Sequence, residues 1–507
     1  MAKAVVLRNI KRALKLEPNE SVDYIVSGRV LNFRAYKTFN FIDLIDGSTK
    51  EHLQLVVKKN LLQKPELGSY LRCRGNIVSS PGQQQSIEFK LNELEYLGKC
   101  DPSTYPLATN TDQTPFADNW LRRRIHLRPR DSNFASLLRV RSELELSLHM
   151  IMKQMDFFQV RTPIITSNDS EASSDLFKIE RSKLLREPAS GAGHYDDVHD
   201  SDSDDELTDD MPEGAGNSDN KQLASNKREL VSNSYFNKDV FMITSAQLHL
   251  EALAASLSRV YCLSPTFRAE SARSQRHLCE FLMFEAEESS LVDLEPLMNR
   301  VESIIKFVAQ FLGEVSEHRN DFASLLAKNS NEQIYENLAS SKFIRMTYKE
   351  ALEIIEEREK LGLSAKAPGS RPKTKQAHCD LTRWHERQLL DHCNNVPIFI
   401  TNYPKELKPF YMKSNNFNLA QCFDLIAPYG GEICGGSLRE DDLDKLQANL
   451  PQITEHNFDW YLDLRKFGTF PHGGFGIGIE RLIQSLLGVR SIRDTTAFPR
   501  WVGHCPM

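Results

Sequence analysis

The chain has 507 residues, 40% of them hydrophobic and 26% charged, which suits two or more globular domains, each with its own core. The formal net charge of −6 is not that of a generally basic nucleic-acid-binding protein, so any RNA contact must use local basic patches. The nine cysteines include no Cys-x-x-Cys pair and predict neither a zinc site nor a disulfide framework. No apolar run reaches the length of a membrane span, and no membrane partner is expected.

Residues 1–20 are basic and amphipathic. They contain no acid before Glu17, and Val6, Ile10 and Leu14 lie on one helical face, apart from the lysines and arginines. This pattern is typical of a mitochondrial presequence and predicts the mitochondrial matrix. A plain surface helix in a cytoplasmic protein is the alternative.

Residues 21–100 contain short alternating apolar runs separated by Gly and Asp. Five such runs, with Asp46-Gly47 as a hairpin turn, predict a small β-barrel of the OB type; the runs span 24–30, 40–44, 53–57, 70–75 and 86–91. Aromatic and basic residues interleave between Phe33 and Phe41, a pattern that lets unpaired bases stack while cations hold phosphates. About half of these aromatics could instead belong to the barrel core.

Residues 101–134 are a predicted hinge linker with four prolines and a basic run at 122–128. An amphipathic helix is predicted over 137–155, followed by an extended segment, 157–166, that contains Pro163. Proline in a strand indicates an edge or an interface.

Residues from about 181 to 235 are rich in Asp, Ser and Gly and nearly free of apolar side chains. Such a segment cannot bury enough surface to fold alone, so we expect a disordered acidic insert. A metal-binding or phosphoregulated tract is the alternative.

Two stretches in the second half of the chain carry arginines in contexts that suit phosphate binding. The first joins Phe267-Arg268-Ala269-Glu270 to Arg276-His277-Leu278-Cys279-Glu280-Phe281 through a loop between two predicted strands. In the second, the glycines of residues 473–478 run into a predicted helix with Arg481 in its first turn, where the helix N-terminus favours anions. Gly488 is expected to end that helix.

These stretches resemble motifs 2 and 3 of the class II aminoacyl-tRNA synthetases, and their order and spacing are highly specific. The resemblance covers nearly the whole chain apart from the acidic insert. It is closest to the asparaginyl-tRNA synthetases, most of all to their mitochondrial branch. It implies an α+β fold, with an OB-fold anticodon-binding barrel followed at 135–507 by a class II catalytic domain, an antiparallel sheet flanked by helices. Residues 157–166 resemble motif 1, which implies a homodimer.

The resemblance also implies roles in ATP binding. Arg268 would bridge the α-phosphate and the substrate carboxylate, while Arg481 with Arg276 and His277 would take the γ-phosphate. Phe281 and Arg481 would sandwich the adenine, and Glu270 would read its amine region. The implied ATP-binding set is Arg268, Glu270, Arg276, His277, Leu278, Phe281, Glu432, Gly478 and Arg481. Of these Arg268, Arg481 and Glu432 would be catalytic, and Asp424 and Glu432 would supply the carboxylate oxygens that Mg²⁺ prefers.

The implied amino-acid-binding residues are Glu171, Gln247, Arg268 and Arg439. Glu171 resembles the glutamate of a family Ser-Glu-Gly triplet, although Ala172 replaces the glycine. On the barrel, Arg34, Phe41 and Gln54 resemble the residues that hold the middle uridine of the anticodon, Phe41 by stacking and the other two by bonding its edges.

Asparagine rather than aspartate is the expected amino acid. Aspartyl-tRNA synthetases place a lysine against the substrate carboxylate where this chain has Leu250. Without that cation a buried aspartate would be half-paired, at a cost of about 3–5 kcal/mol. The expected activity is asparaginyl-adenylate formation from ATP, then transfer to tRNA(Asn). An aspartate-tRNA ligase, a non-catalytic tRNA-binding paralogue and an amidating ligase with the same core are the alternatives.

Overall fold

The computed structural model of the chain describes residues 4–82, 85–105, 107, 121–168, 176–180, 235–236, 238–272, 274–362, 380–450 and 458–506. Glu171, nearly all of the predicted acidic insert and part of the predicted linker lie outside these ranges. Within them, no helix is long and apolar enough to cross a membrane.

The N-terminal domain is a five-stranded barrel with one short additional strand paired to it. Its strands are β1 (Val5–Val6), β2 (Asn19–Ala35), β3 (Phe39–Ile45), β4 (Leu53–Lys58), β5 (Tyr70–Ser79) and β6 (Ile87–Gly98). They pair in the order β1-β2-β3-β4-β6-β5, and β2 also pairs with β5, which closes the barrel. The five strands predicted from alternating runs are confirmed, each with longer bounds, because burial alternates along them as the pleat requires.

The segment predicted as a presequence packs on this barrel. Val5 and Val6 pair in parallel with β2, and a short helix, α1 (Ile10–Ala13), follows. Ile10 and Ala13 are buried in the barrel core, and the Ile10 amide donates to Asp46 Oδ2 at 2.8 Å. Residues 4–16 are therefore part of the folded domain.

The second domain is built on an eight-stranded sheet with the order β12-β13-β14-β15-β16-β11-β10-β7. The strands are β7 (Phe158–Gln159), β10 (Arg259–Phe267), β11 (Glu280–Ser289), β12 (Ile344–Thr347), β13 (Ile398–Pro404), β14 (Leu419–Ala427), β15 (Gly431–Leu438) and β16 (His472–Gly478). A separate two-stranded sheet joins β8 (Ile165–Thr166) to β9 (Phe241–Met242).

Helices cover the sheet and bury its main hydrophobic core. They are α2 (Ser132–Gln154), α3 (Gln247–Leu257), α4 (Glu295–Gln310), α5 (Arg319–Asn329), α6 (Glu332–Ser340), α7 (Tyr348–Lys360), α8 (Arg383–His392), α9 (Leu443–Asn449), α10 (Asp459–Lys466) and α11 (Ile479–Leu487). The core packs α2, α4 and α11 against the central strands. Gly488 ends α11 with a positive φ of 67°, as predicted from sequence.

Two sequence expectations differ from the structure. The sheet is antiparallel only in its six central strands, because the outer pairs β12–β13 and β7–β10 are parallel. The extended segment around Pro163 is two short strands, β7 and β8, rather than one continuous strand. The glycines of residues 473–478 belong to β16, which leads directly into α11, as expected.

Arg139 connects the two domains through a hydrogen bond to the barrel. Arg139 on α2 pairs with Asp321 on α5, with 2.7 Å between Nη2 and Oδ1, and its Nη1 donates to the Gly47 carbonyl of the barrel at 2.7 Å. Lys11 of α1 adds an ion pair with Glu317 at 2.5 Å. The barrel therefore contacts helices that also pack behind the large sheet.

Candidate active site

One cavity of about 460 Å³ lies over the central antiparallel strands of the large sheet. Every implied ATP-binding residue lines it, as do Asp424, Gln247 and Arg439. The sequence places these residues in four separate stretches, and the sheet brings them together because β10, β11, β14, β15 and β16 are neighbours. Of the implied substrate-binding residues, only Glu171 has no described position.

Arg268 and Arg481 reach this cavity from distant parts of the chain. Arg268 follows the end of β10, where its amide donates to the Cys279 carbonyl at 3.0 Å, and its guanidinium lies 5.6 Å from the centre of the Phe281 ring. Arg481 lies in the first turn of α11 and donates from Nη1 to the Glu432 carbonyl at 2.7 Å. Two permanent positive charges therefore line the cavity together with an aromatic ring.

Arg276 and His277 lie in the loop between β10 and β11. Arg276 pairs with Glu386 on α8 at 2.5 Å and donates from Nε to the Tyr429 carbonyl at 2.8 Å. His277 Nδ1 is 2.5 Å from Ser274 Oγ, and Nε2 is 3.6 Å from Glu270 Oε2. Burial and the nearby charge of Arg481 lower the pKa of His277, so the ring is neutral at pH 7.

Asp424 on β14 and Glu432 on β15 lie beside each other at the cavity wall. Asp424 is opposite Gly435 in the strand register, and a Cβ on Gly435 would lie 3.4 Å from Glu432 Oε1 and 3.8 Å from Asp424 Oδ1. Burial, with the adjacent charge of Asp424, raises the pKa of Glu432 to about 7. Lys408 binds the other side of Asp424, with 2.6 Å between Nζ and Oδ2.

This acid pair fits a divalent cation, since two carboxylates that repel each other are a favourable ligand set for Mg²⁺. The residues that the structure describes include no group of three or more His, Cys, Asp or Glu side chains placed to hold a metal by themselves. Magnesium is usually bound through one or two carboxylates together with substrate phosphates and water. Asp424 and Glu432 are therefore suited to share a cation with a bound triphosphate.

Arg439 lies at the other end of the cavity in a buried pair. Its Nε and Nη2 donate to the two carboxylate oxygens of Glu287 at 3.0 and 2.9 Å, and its Nη1 donates to Ser437 Oγ at 2.6 Å. Burial raises the pKa of Glu287, a shift that Arg439 opposes. Leu250 also lines this end. Neither Leu250 nor the paired Arg439 offers an uncompensated positive charge.

Several residues that no sequence pattern indicated also line the cavity. Lys408, Glu386 and Glu287 each pair with an implied site residue, namely Asp424, Arg276 and Arg439. Glu285 also lines the cavity and accepts hydrogen bonds from Ser245 Oγ at 2.5 Å and from the Ala246 amide. No pattern in the sequence around Lys408 indicates its partner.

The implied anticodon residues form a second polar group, on the barrel. Arg34 donates from Nη2 to Asp43 Oδ1 at 2.9 Å and to Gln54 Oε1 at 2.6 Å. Gln54 in turn donates to Glu88 Oε1 at 3.0 Å. Phe41 lies opposite Arg34 in the register of β2 and β3. The structure therefore brings Arg34, Phe41 and Gln54 together on adjacent strands.

Comparisons with known proteins agree with this architecture. The family profile described as tRNA synthetases class II (D, K and N) matches residues 218–502, and the OB-fold nucleic acid binding domain profile matches residues 24–97. The asparaginyl-tRNA synthetase of Mus musculus is 32% identical over 503 residues, covering 98% of this chain and 94% of that protein. The asparagine-tRNA ligase of Synechocystis sp. is 33% identical, with 94% of each chain covered.

Among solved structures, Entamoeba histolytica asparaginyl-tRNA synthetase in complex with asparaginyl-adenylate aligns with a TM-score of 0.74 at 25% identity, covering 100% of both chains. The family profile spans more than half of this chain, and the relatives above 30% identity align over nearly their whole length. The chain therefore belongs to the class II tRNA synthetases and, within them, to the asparaginyl-tRNA synthetases.

Proposed function

We propose that this chain is an asparagine-tRNA ligase that activates asparagine with ATP and transfers it to tRNA(Asn). The observation that carries the proposal is the single cavity in which Arg268, Arg481 and the Asp424–Glu432 pair lie near a charge-balanced amino-acid subsite. Relatives named for the same activity align over nearly the whole chain.

In the first step the asparagine α-carboxylate attacks the α-phosphorus of ATP, so the acyl phosphate bond forms as pyrophosphate leaves. Two anions must approach each other, and the barrier falls when fixed positive charge faces the developing negative charge. Arg268 is the group for the α-phosphate and the substrate carboxylate, and Arg481 is the group for the departing phosphates. The first step needs no side-chain base, because the attacking carboxylate is already ionised.

Mg²⁺ held by Asp424 and Glu432 would neutralise phosphate charge when bound. Lys408 keeps Asp424 in place by binding Oδ2, so that Oδ1 stays on the side facing Glu432. Phe281 on β11 offers an aromatic face for the adenine, and its ring centre lies 5.6 Å from the guanidinium of Arg268, which follows the paired strand β10.

In the second step the 3′-hydroxyl of the terminal adenosine of tRNA attacks the adenylate carbonyl, and an ester bond forms as the bond between the carbonyl carbon and the phosphate oxygen breaks. The phosphate oxygen of the departing AMP keeps that electron pair and takes up the hydroxyl proton. His277, neutral at pH 7, and Arg276 lie in the loop that borders the nucleotide end of the cavity. Positioning of the hydroxyl and charge stabilisation by the arginines suffice for this transfer.

Selection of asparagine follows from the charge balance around Arg439. Because Glu287 already neutralises this guanidinium, a neutral carboxamide can bond to the pair without bringing an extra buried charge. Leu250 supplies no cation for an aspartate carboxylate. Glu171, outside the described residues, is proposed to bind the substrate ammonium.

The decisive experiment measures ATP–pyrophosphate exchange and tRNA charging by the purified protein with asparagine and with aspartate. We expect asparagine-dependent exchange and charging of tRNA(Asn). Faster adenylate formation with aspartate would identify an aspartate-tRNA ligase. Binding of tRNA with no exchange for either amino acid would identify a non-catalytic paralogue.

We propose that the barrel binds the anticodon of tRNA(Asn) through Arg34, Phe41 and Gln54. Phe41 supplies a stacking face, and the hydrogen bond between Arg34 and Gln54 supports a shared contact of these two side chains with one base edge. The half-exposed Phe41 packs edge-on against the exposed Tyr36, with 5.3 Å between ring centres.

A homodimer through the motif 1 region is also proposed. Here β7 is the edge strand of the large sheet, and the apolar side chains of Phe158, Ile164 and Ile165 are 60%, 43% and 42% exposed. Exposed apolar side chains next to an unpaired strand edge favour a protein contact. Analytical ultracentrifugation of the wild type and of Ile164→Asp tests this, with a monomeric wild type as the contrary result.

We propose that the protein is mitochondrial and belongs to the mitochondrial branch of the asparaginyl-tRNA synthetases, because its N-terminus is basic and poor in acids. The cytoplasm is the alternative location. Since Ile10 and Ala13 belong to the barrel core, a signal in this segment would stay attached after import. Import into isolated mitochondria followed by N-terminal sequencing tests both points. Protease-accessible protein outside the organelle would favour the cytoplasm.

A further inference from the structure

Glu251 is a buried carboxylate just behind the amino-acid end of the active-site cavity. It lies on α3, one turn after Gln247, and its side chain is 0% exposed. Gln247 and Arg439 line the cavity and Glu251 does not, so Glu251 contacts the wall of the site from the outside. Neither step of the proposed reaction uses Glu251 directly.

The two oxygens of Glu251 have different partners. Oε2 accepts hydrogen bonds from Arg465 Nη2 at 2.8 Å, from the Tyr461 hydroxyl at 2.8 Å and from His472 Nε2 at 2.9 Å. Oε1 accepts from Gln247 Nε2 at 3.1 Å and from the same Tyr461 hydroxyl at 2.9 Å. The charged partners are therefore concentrated on Oε2, and Gln247 is bonded to Oε1.

Glu251 is ionised in this environment. Burial by itself would raise its pKa, but the charge of Arg465, the hydrogen bond from His472 and the charge of Arg439 hold the pKa below its usual value. An ionised carboxylate only accepts hydrogen bonds. The Gln247 atom that faces it must then be the amide nitrogen, and the amide oxygen of Gln247 is turned the other way.

We propose that Glu251 is a positioning residue for asparagine, because it fixes the Gln247 amide with its carbonyl oxygen presented to a donor of the bound amino acid. The donor is an N–H group, either the ammonium or the side-chain carboxamide of asparagine. This inference rests on the proposed asparagine activation and adds a residue that does not touch the substrate.

Glu251→Gln tests the orientation. Three donors surround the Oε2 position, so the new glutamine must place its oxygen there and its NH₂ group towards Gln247. Two NH₂ groups would then face each other, and Gln247 must turn over, presenting its own NH₂ to the substrate. Loss of a hydrogen bond to a charged donor predicts a KM for asparagine raised about ten- to a hundredfold, with the KM for ATP unchanged.

A second variant separates orientation from damage to the fold. Gln247→Glu alone brings two carboxylates together and should also raise the KM for asparagine. Glu251→Gln combined with Gln247→Glu restores a matched donor and acceptor and again presents an oxygen to the substrate. We expect the double variant to bind asparagine at least five times better than either single variant. Tyr461→Phe, which removes a donor to Glu251 and leaves its charge, should stay within about threefold of wild type.

The readouts are the KM values for asparagine and ATP in pyrophosphate exchange, together with the melting temperature of each variant. No asparagine-dependent exchange by the wild type contradicts the proposed function itself. An active wild type with an unchanged asparagine KM in folded Glu251→Gln overturns the role of Glu251. A double variant no better than the single variants overturns it too, even where a single variant folds poorly.

Discussion

Arg439 and Glu287 form a two-bond ion pair, at 3.0 and 2.9 Å, in which neither side chain is more than 3% exposed. The pair joins the end of β15 to the middle of β11 across the intervening strand β16, so it depends on close strand packing. A Cβ on Gly474 of β16 would lie within van der Waals overlap of the Glu287 carboxylate, which explains a glycine at this position. The close packing of the strands therefore holds Glu287 against Arg439, and this pair fixes the charge balance of the amino-acid subsite.

Glu287→Gln should weaken the preference for asparagine. The substitution leaves the Arg439 guanidinium buried without its counter-charge, a situation that typically costs about 3–5 kcal/mol. An aspartate side chain would supply the missing charge. We therefore expect kcat/KM for asparagine to fall and the ratio of aspartate to asparagine exchange to rise at least tenfold.

Glu288→Gln is the matched control for that experiment. Glu288 is the next residue on β11 and is also buried, but its side chain faces the opposite side and pairs with Arg300 and Arg259. In Glu288→Gln the ratio of aspartate to asparagine exchange should equal that of the wild type. An equal change of preference in both variants would show that loss of stability, and not the subsite charge, is responsible.

Arg268→Ala should abolish measurable ATP–pyrophosphate exchange while leaving tRNA binding by the barrel intact. Loss of one preorganised charge-stabilising donor costs about 3–4 kcal/mol, or a factor of about a hundred to a thousand in rate. Arg268→Lys keeps the positive charge but cannot form bidentate hydrogen bonds, so it should recover only part of the exchange rate. Near-normal exchange by folded Arg268→Ala would remove Arg268 from the catalytic set. Arg72→Ala is the control for loss of an arginine outside the cavity, because Arg72 lies on the barrel.

Much of this site is predictable from sequence because the arginines sit in recognisable local contexts. Arg268, Arg276 and Arg481 each occur in a short motif, and the alternating runs of the barrel carry their own periodicity. The structure brings the implied residues into one cavity, as the motifs require. Their individual roles in binding and catalysis stay predictions.

The partners of those residues are not predictable in the same way. Glu287 and Lys408 pair with residues 152 and 16 positions away, and Glu251, one helical turn from Gln247, is also bonded to His472, 221 positions away. A single sequence contains no record of the distant pairs. The parallel outer strand pairs were missed because β7 and β12 are too short to show a pattern of their own. For residues 1–20 the pattern does not distinguish two structures, because a presequence and a helix packed on a barrel are both amphipathic.

ATP binding should be accompanied by proton uptake at His277. In the free protein, burial and Arg481 lower the pKa of this imidazole, so more than half of it is neutral at pH 6.5. A bound triphosphate adds negative charge beside the ring and must raise that pKa, so that binding takes up a proton in this range. Calorimetry at pH 6.5 in buffers of different ionisation enthalpy measures the uptake. Wild type and His277→Gln both lose the same proton from Glu432 when its carboxylate binds Mg²⁺, so the uptake at His277 is measured as the difference between the two proteins. The wild type should take up more protons than His277→Gln at pH 6.5, and the difference should shrink at pH 8.5. No difference at pH 6.5 would exclude His277 as the acceptor.

Phe41→Ala should separate tRNA recognition from amino-acid activation. Stacking of a base on an aromatic ring contributes about 1–3 kcal/mol, so the KM for tRNA(Asn) should rise about five- to a hundredfold. Pyrophosphate exchange, which needs no tRNA, should be unchanged. Phe33→Ala, on the neighbouring strand, serves as the control for loss of an aromatic side chain that packs on the barrel core. A normal tRNA KM in Phe41→Ala would remove this ring from the anticodon site.

Ile10→Ala should destabilise the barrel, although Ile10 lies in the segment that resembles a presequence. Its side chain is 1% exposed and packs in the barrel core, and truncating a buried isoleucine to alanine costs about 2–5 kcal/mol. Lys11→Ala removes an ion pair with the exposed Glu317 and should cost less than about 1 kcal/mol. Differential scanning calorimetry of the two variants compares these effects. Because Ile10 contributes through burial and Lys11 through a screened surface charge, only the lysine effect should depend on salt. Equal melting temperatures for Ile10→Ala and the wild type would mean that residues 4–16 are dispensable for the folded barrel.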